Sequence, residues 1–545
     1  MSDSASVKMP LELHSDPVLA DLDEEHPLLR DTDRPGWWGW IDKQSEQVSR
    51  HLNPILIKEA RQSLKSRQFA VTFFLLLIAS WFWMIIGVVT LAPDIYFVPS
   101  GADLMSGYYF LLAIPMIAMV PLAAHRSLAA ELDEGTYELL AITRLTSMRI
   151  VTGKLGSAVL QMLVYFAALV PCFAFCYLLR GIDMVMIGTT IVLVFGVSIL
   201  LTTFGLLLAT VVQNRAGQIF TLLVLLGVIV FSEFLCGAFV LEVIMRQQIF
   251  WNGEGVVFTL LFSAVTVSCM VMFVRAAAAR IAPITENRST RLRWIMFAQQ
   301  LIWIASIATL ALWYSEEEVL QFGIMILGGY WLLMGTLMLG ESSELSPRVL
   351  RTLPQTTFGR MMMLWFSPGP GTGFMFAITT GCAGMLSLGI VALMFGIRNA
   401  TEPITFAFLM MGYLMMFLGG SRLIVLPTAW RLGNTFAIPC CVTAAMLTLG
   451  VIAPSIFMAI TTGGPSQQYG LQEFTNWMWT IDRSFSRSTS IEAVAFITFL
   501  SGGVIFIVNL FLLIREFTYR RVAIPARVIA DSQSDKTEPL THSAD

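Results

Sequence analysis

Charged side chains are scarce in this chain. Of its 545 residues only 13% are Asp, Glu, Lys or Arg, about half the share of a soluble domain. With 56% of residues hydrophobic, a water-soluble globule is excluded, because its interior could not hide them. Histidine is rarer still, at five residues, which leaves no His-rich metal cluster. The seven cysteines, Cys172, Cys176, Cys236, Cys269, Cys382, Cys440 and Cys441, lie in apolar runs without CxxC spacing. They read as small hydrophobic fillers. A phosphate-binding GxxxxGK[ST] loop is missing. Gly153-Lys154 has no Ser or Thr after it, and the glycine-rich Ser367 to Gly373 has no lysine. The chain is therefore expected to bind no cofactor and to be no enzyme. Its net charge of −3 offers no basic surface for nucleic acid.

What the chain has is long apolar runs. A crossing needs about 20 apolar residues, and such runs stand at about 69–91, 108–124, 155–179, 185–212, 217–240, 256–274, 295–313, 319–340, 374–396, 404–427, 435–460 and 491–514. The second carries Pro115 and Pro121, which predict a kink. The expected fold is all-α: a polytopic membrane protein of about 12 transmembrane helices in two six-helix halves.

Residues 1–50, with Asp21, Asp23, Glu24 and Glu25, read as a disordered acidic tail. The first apolar run begins too late for a cleavable signal. With that tail inside, the cytoplasmic connections hold 22 Lys and Arg against five on the opposite side. This matches the positive-inside rule and places both termini in the cytoplasm of a cell (inner) membrane. Residues 51–280 form one six-span half, 281–516 a second, and 517–545 a C-terminal tail. Six is even, so the halves share one orientation, as in a parallel tandem.

Polar residues within or beside the spans stand out. Glu233 falls in the fifth apolar run, where a carboxylate costs about 3 kcal/mol at mid-bilayer. Either it lines a path or couples a proton, or the helix stops short and leaves it at the outer interface. Gln299 and Gln300 read as interhelical glue, Glu316-Glu317-Glu318 as a solvated outer loop, and Trp477 and Trp479 as headgroup-level anchors.

Two segments carry more. Asn53 is a good N-cap and Pro54 suits the first helical position. Behind them Leu56, Ala60 and Leu64 share one face, with Lys58, Arg61 and Lys65 beside it, the pattern of a helix lying in the headgroup layer. From Glu131 to Lys154, Gly135 can end a helix and Thr136 can cap the next, with Glu138 in its first turn. Tyr137, Leu140 and Ala141 give that short helix a small apolar face suited to a groove on another protein.

The run N-P-x-x-x-K-E-x-R before the first span, with E-x-x-E-G-T-x-E-L-L after the second, resembles the ABC-2 class of ABC transporter permeases. The matching positions are Asn53, Pro54, Lys58, Glu59 and Arg61, then Glu131, Glu134, Gly135, Thr136, Glu138, Leu139 and Leu140. Gly153-Lys154 resembles the family's Gly-Lys at the third span. The resemblance covers about 50–280. It implies an interfacial elbow helix, a cytoplasmic coupling helix, an ATPase partner that binds the ATP and Mg, and a homodimer or second permease in the bilayer. The family often has Pro after the Thr that follows Leu-Leu, whereas Arg144 follows Thr143 here. The competing expectation is an ion- or proton-coupled secondary transporter.

Overall fold

The computed structural model describes residues 53–93, 97–135, 146–212, 215–246, 253–283, 286–341, 365–396, 399, 401–432, 437–462, 469–486 and 491–519. Among these, every regular element is helical. A short helix α1, Pro54–Leu64, comes first. The following helices are α2 Arg67–Leu91, α3 Gly101–Asp133, α4 Ser147–Leu178, α5 Met184–Ala209, α6 Arg215–Arg246 and α7 Gly253–Ile281. Then come α8 Thr290–Tyr314, α9 Glu317–Leu339, α10 Pro370–Met394, α11 Thr401–Leu432 and α12 Ala437–Thr462. A 3₁₀ turn at Leu471–Glu473 and a short helix α13, Trp477–Phe485, precede α14, Glu492–Tyr519. Twelve of these are long and apolar enough to cross a membrane. The chain is a multi-pass helical membrane protein, and its spans fall where the apolar runs predict.

The second span departs most from expectation. It runs from Gly101 to Asp133, 33 residues, or about 50 Å at the helical rise, well beyond the apolar run. The kink expected at the prolines is a π-helical stretch, Ile114–Met119. Pro121 has no N–H, which leaves a carbonyl in the wide π register short of a donor. The Ser198 hydroxyl on α5 donates to the Met116 carbonyl, so a neighbouring span closes the gap.

Helices in lipid gain little from apolar contact and associate through close packing and hydrogen bonds. The stripe Phe74, Ile78, Trp81, Phe82, Ile85 and Val89 on α2 is exposed, as a lipid-facing surface would be. Buried residues gather in separate clusters, drawn from residues 55–281 on one side and 296–513 on the other. Within the first six spans, α3 packs on α2, α4, α5 and α6, while α5 packs on α4, α6 and α7. The last six repeat that scheme: α9 packs on α8, α10, α11 and α12, while α11 packs on α10, α12 and α14. Between the two sets the substantial packing is α7 on α8. Trp303 Nε1 on α8 donates to Ser268 Oγ on α7 at 3.1 Å, and Gln299 Nε2 reaches Cys269 Sγ at 3.4 Å.

The tightest pair is α11 with α14. A Cβ on Gly412 would stand 2.7 Å from the Phe499 nitrogen and the Thr498 carbonyl carbon, and one on Gly502 would stand 2.6 Å from the Gly412 oxygen. Backbone cannot retreat as a side-chain tip can. Gly412→Val is expected to push the helices apart and destabilise the protein by about 1–3 kcal/mol. Thermal unfolding in detergent checks this, with Gly503→Val, whose Cβ meets open space, as the control.

Two expectations need correction. Glu316-Glu317-Glu318 is not a solvated loop: Glu317 and Glu318 form the first turn of α9. Glu317 is buried and accepts from Asn399 Nδ2 at 3.2 Å. The cysteine fillers are not all enclosed, for Cys441 is exposed. Trp477 Nε1 donates to the Leu447 carbonyl at 3.1 Å and pins α13 to α12.

Candidate functional site

Three segments distant in sequence meet where α1, the end of α3 and the start of α4 come together. The Asn53 side chain caps α1 by accepting from the Ile55 N–H at 3.2 Å, and its amide donates to the Arg149 carbonyl in the first turn of α4. Pro54 occupies the first turn. The apolar side of α1 is not left for lipid alone. A Cβ on Gly153 would stand 2.8 Å from Ile55, and one on Gly156 would stand 2.8 Å from Leu56. Gly153 thus lets α1 lie against α4.

The next residue carries the charge. Lys154 is 2% exposed. Its Nζ stands 3.2 Å from Glu59 Oε2 on α1 and 3.0 Å from Glu131 Oε1 on α3. It also donates to Ser127 Oγ at 2.8 Å, and Ser127 donates on to Glu59 Oε2 at 3.5 Å. One ammonium therefore ties three elements, with its three protons directed at three oxygens. Lys58 and Arg61 point outward and are exposed. Of the residues singled out in the two segments, the structure brings together Asn53, Pro54, Glu59 and Glu131 and leaves Lys58 and Arg61 outside the cluster.

Just past Glu131, α3 ends. Glu134 is the capping residue, its N–H bonded to the Ala130 carbonyl at 3.0 Å. Gly135 has φ +68°, the left-handed conformation that glycine adopts without penalty and that terminates helices. Asp133 accepts from Gln218 Nε2 on α6 at 2.6 Å. Thr136, Glu138, Leu139 and Leu140 lie outside the described residues, as do Tyr137 and Ala141.

A second buried cation, counted in the sequence only as a flanking charge, lies among the last six helices. Arg293 near the start of α8 pairs through Nη2 with Glu341, just past α9, at 2.7 Å. Nη1 donates to the carbonyls of Trp365 at 2.9 Å and Ser367 at 2.5 Å, and Nη2 to that of Gly369 at 3.2 Å. Glu341 accepts in turn from the Gly369 N–H at 2.9 Å. Gly369 has φ +140°, accessible to glycine alone. The glycine-rich run before α10 thus presents carbonyls to a guanidinium, not N–H groups to a phosphate. The density of Gly and Pro there was the available signal. Arg422, counted from sequence as a loop cation, lies inside α11. It is 2% exposed, its Nη1 donates to the Asn509 carbonyl at 3.0 Å, and it sits 5.1 Å from the Phe374 ring centre.

Glu233 belongs to neither cluster. The helix does not stop at it: α6 continues to Arg246, which removes the reading of an early helix end. Glu233 Oε1 accepts from the Tyr109 hydroxyl on α3 at 3.3 Å, while Oε2 is buried without a hydrogen-bond partner. Gln299 and Gln300 act as expected between helices. Tyr330 donates to Gln299 Oε1 at 3.0 Å and Trp331 to Gln300 Oε1 at 2.6 Å. No group of three or more His, Cys, Asp or Glu placed to hold a metal occurs among the described residues.

Compared with known proteins, the chain matches no family model, no curated protein and no solved structure.

Proposed function

We propose that this chain is the membrane-spanning permease subunit of an ATP-driven exporter of the ABC-2 type, served by a separate cytoplasmic ATPase. The supporting observation is the Lys154 cluster. The two segments that resemble the family's elbow and coupling helices, and the Gly-Lys pair, are remote in sequence. They contribute Glu59, Glu131 and Lys154 to one buried ionic contact. A coincidental resemblance would give no reason for those residues to meet.

The mechanism follows from the connectivity. A partner pressing on residues 136–145 displaces the ends of α3 and α4 that flank them. Lys154 holds those ends to α1, so the three elements move together and the displacement passes into α2, which is separated from α1 by only two residues. Helix tilting of this rigid-body kind is a standard switching motion. The recurring helix pairs and the Arg293 cluster support reading the second six spans as a degenerate second permease half. The bias of Lys and Arg supports cytoplasmic termini in the inner membrane, with α1 on the cytoplasmic side. ATP and Mg belong to the partner, and a second permease copy or a related chain completes the assembly.

Purification of the tagged chain from its native membranes tests this reading. An ATPase with a phosphate loop is expected to accompany it, and Glu138→Arg is expected to lower the co-purified ATPase activity at least tenfold. Full association with Glu138→Arg, or no ATPase at all, contradicts the proposal. The secondary-transporter alternative is favoured by the unpartnered Glu233 Oε2 alone. It requires transport to persist without ATP and to stop in Glu233→Gln.

A further inference from the structure

A slot of about 340 Å³ opens beside the Lys154 cluster, bounded by α1, α2, α3 and α4. Its size falls within the range of small-molecule sites. Along α3 its lining extends from Glu134 back to Met119, about 20 Å at the helical rise. The lining changes character along that length. At the α1 end stand Glu59, Glu131, Glu134 and Lys154, three carboxylates and one ammonium, for a formal charge of −2. In the depth stand Phe69, Met119, Val120 and Tyr165, with Ala123, Ala158 and the polar Ser157 and Gln161 between. The hydroxyls at the deep end already serve each other, Thr72 Oγ1 and Tyr165 OH lying 2.6 Å apart. The depth therefore offers apolar surface, while the mouth offers negative charge at the membrane face where α1 lies.

We propose that this slot binds an amphiphile with a positively charged amine headgroup. The headgroup sits among Glu59, Glu131 and Glu134, and the acyl or alkyl chain runs between α2, α3 and α4 toward Met119. Two physical facts select this class. A negative mouth repels carboxylate, phosphate and sulfate headgroups, whereas it attracts an ammonium. A slot that ends in Phe69, Met119 and Val120 gains from each buried methylene, so a free small amine lacks most of the favourable contact. The proposal goes beyond the exporter reading and does not need it, since binding here requires no ATPase.

The test uses the full chain in phosphatidylcholine nanodiscs and a dodecylamine carrying a chain-terminal diazirine. Irradiation is expected to label residues of the deep lining, Phe69, Met119 or Ala158, as mapped by mass spectrometry. Unlabelled dodecylamine is expected to compete, while dodecanoate, dodecyl phosphate and free ethanolamine compete at least tenfold less well. Glu134→Gln leaves the Lys154 contacts intact and is expected to weaken competition about three- to tenfold. Ala158→Leu fills the slot and is expected to abolish labelling in protein that remains monodisperse. Equal competition by dodecanoate, labelling elsewhere only, or labelling unaffected by both variants overturns the proposal. ATPase co-purification is scored separately, so a failed slot leaves the exporter reading standing and a failed exporter reading leaves the slot.

Discussion

Lys154→Met is expected to destabilise the protein by about 3 kcal/mol or more, the lower end of what losing one partner of a buried ionic contact causes. The substitution keeps the length of the side chain and removes its charge. Glu59 and Glu131 then face each other across the vacated position without a cation, and Ser127 loses its donor. Thermal unfolding of the purified chain, followed as the monodisperse fraction, reads the effect. The pattern across variants decides the cause. Glu59→Gln combined with Glu131→Gln in the Lys154→Met background is expected to recover most of the loss, because no uncompensated charge remains. Each Gln substitution alone in the wild-type chain is expected to cost less than Lys154→Met, since Lys154 retains one carboxylate. If the triple variant is as unstable as Lys154→Met, the lysine acts through packing and not through charge.

Arg293→Leu is expected to have the larger effect of the two. The guanidinium meets three carbonyls and one carboxylate, and it is fully buried. Each buried acceptor left without a donor costs about 1–3 kcal/mol, so the four together approach the stability of a typical domain. The expected result is failure to recover monodisperse protein at ordinary growth temperature. Arg293→Lys is expected to rescue little, because an ammonium cannot reproduce the planar fork that serves Glu341 and the loop carbonyls at once. A Lys variant as stable as wild type would show that charge alone suffices there.

The fold was legible where the bilayer dictates it. Twelve apolar runs became twelve helices because lipid permits no unpaired backbone and sets the length of a crossing. Asn53 as a cap and Gly135 as a helix end were legible for local reasons, each resting on one residue's own geometry. Long-range pairing was not. Lys154 meets Glu59 across 95 positions, and Arg293 meets Glu341 across 48, and no local rule connects them. Hydropathy treats a cation near a helix end as a flank, so Arg293 and Arg422 passed as loop charges. The buried Glu317 hid in the same way, as one of three consecutive acids that look solvated. The extension of α3 beyond its apolar run was missed for a related reason. Its last turns carry Arg126, Glu131 and Asp133, which end the apolar run without ending the helix, and they are held by α4 and α6.

The central claim is that force from an ATPase enters between the second and third spans, beside the Lys154 cluster. A photoreactive amino acid placed at position 138 in the native membrane tests it most directly, with position 316 on the opposite side as the reference. The account predicts a crosslinked adduct at 138 that contains a phosphate-loop ATPase, and none at 316. An adduct at 316, or an ATPase captured at neither position from membranes in which the chain is active, would contradict it.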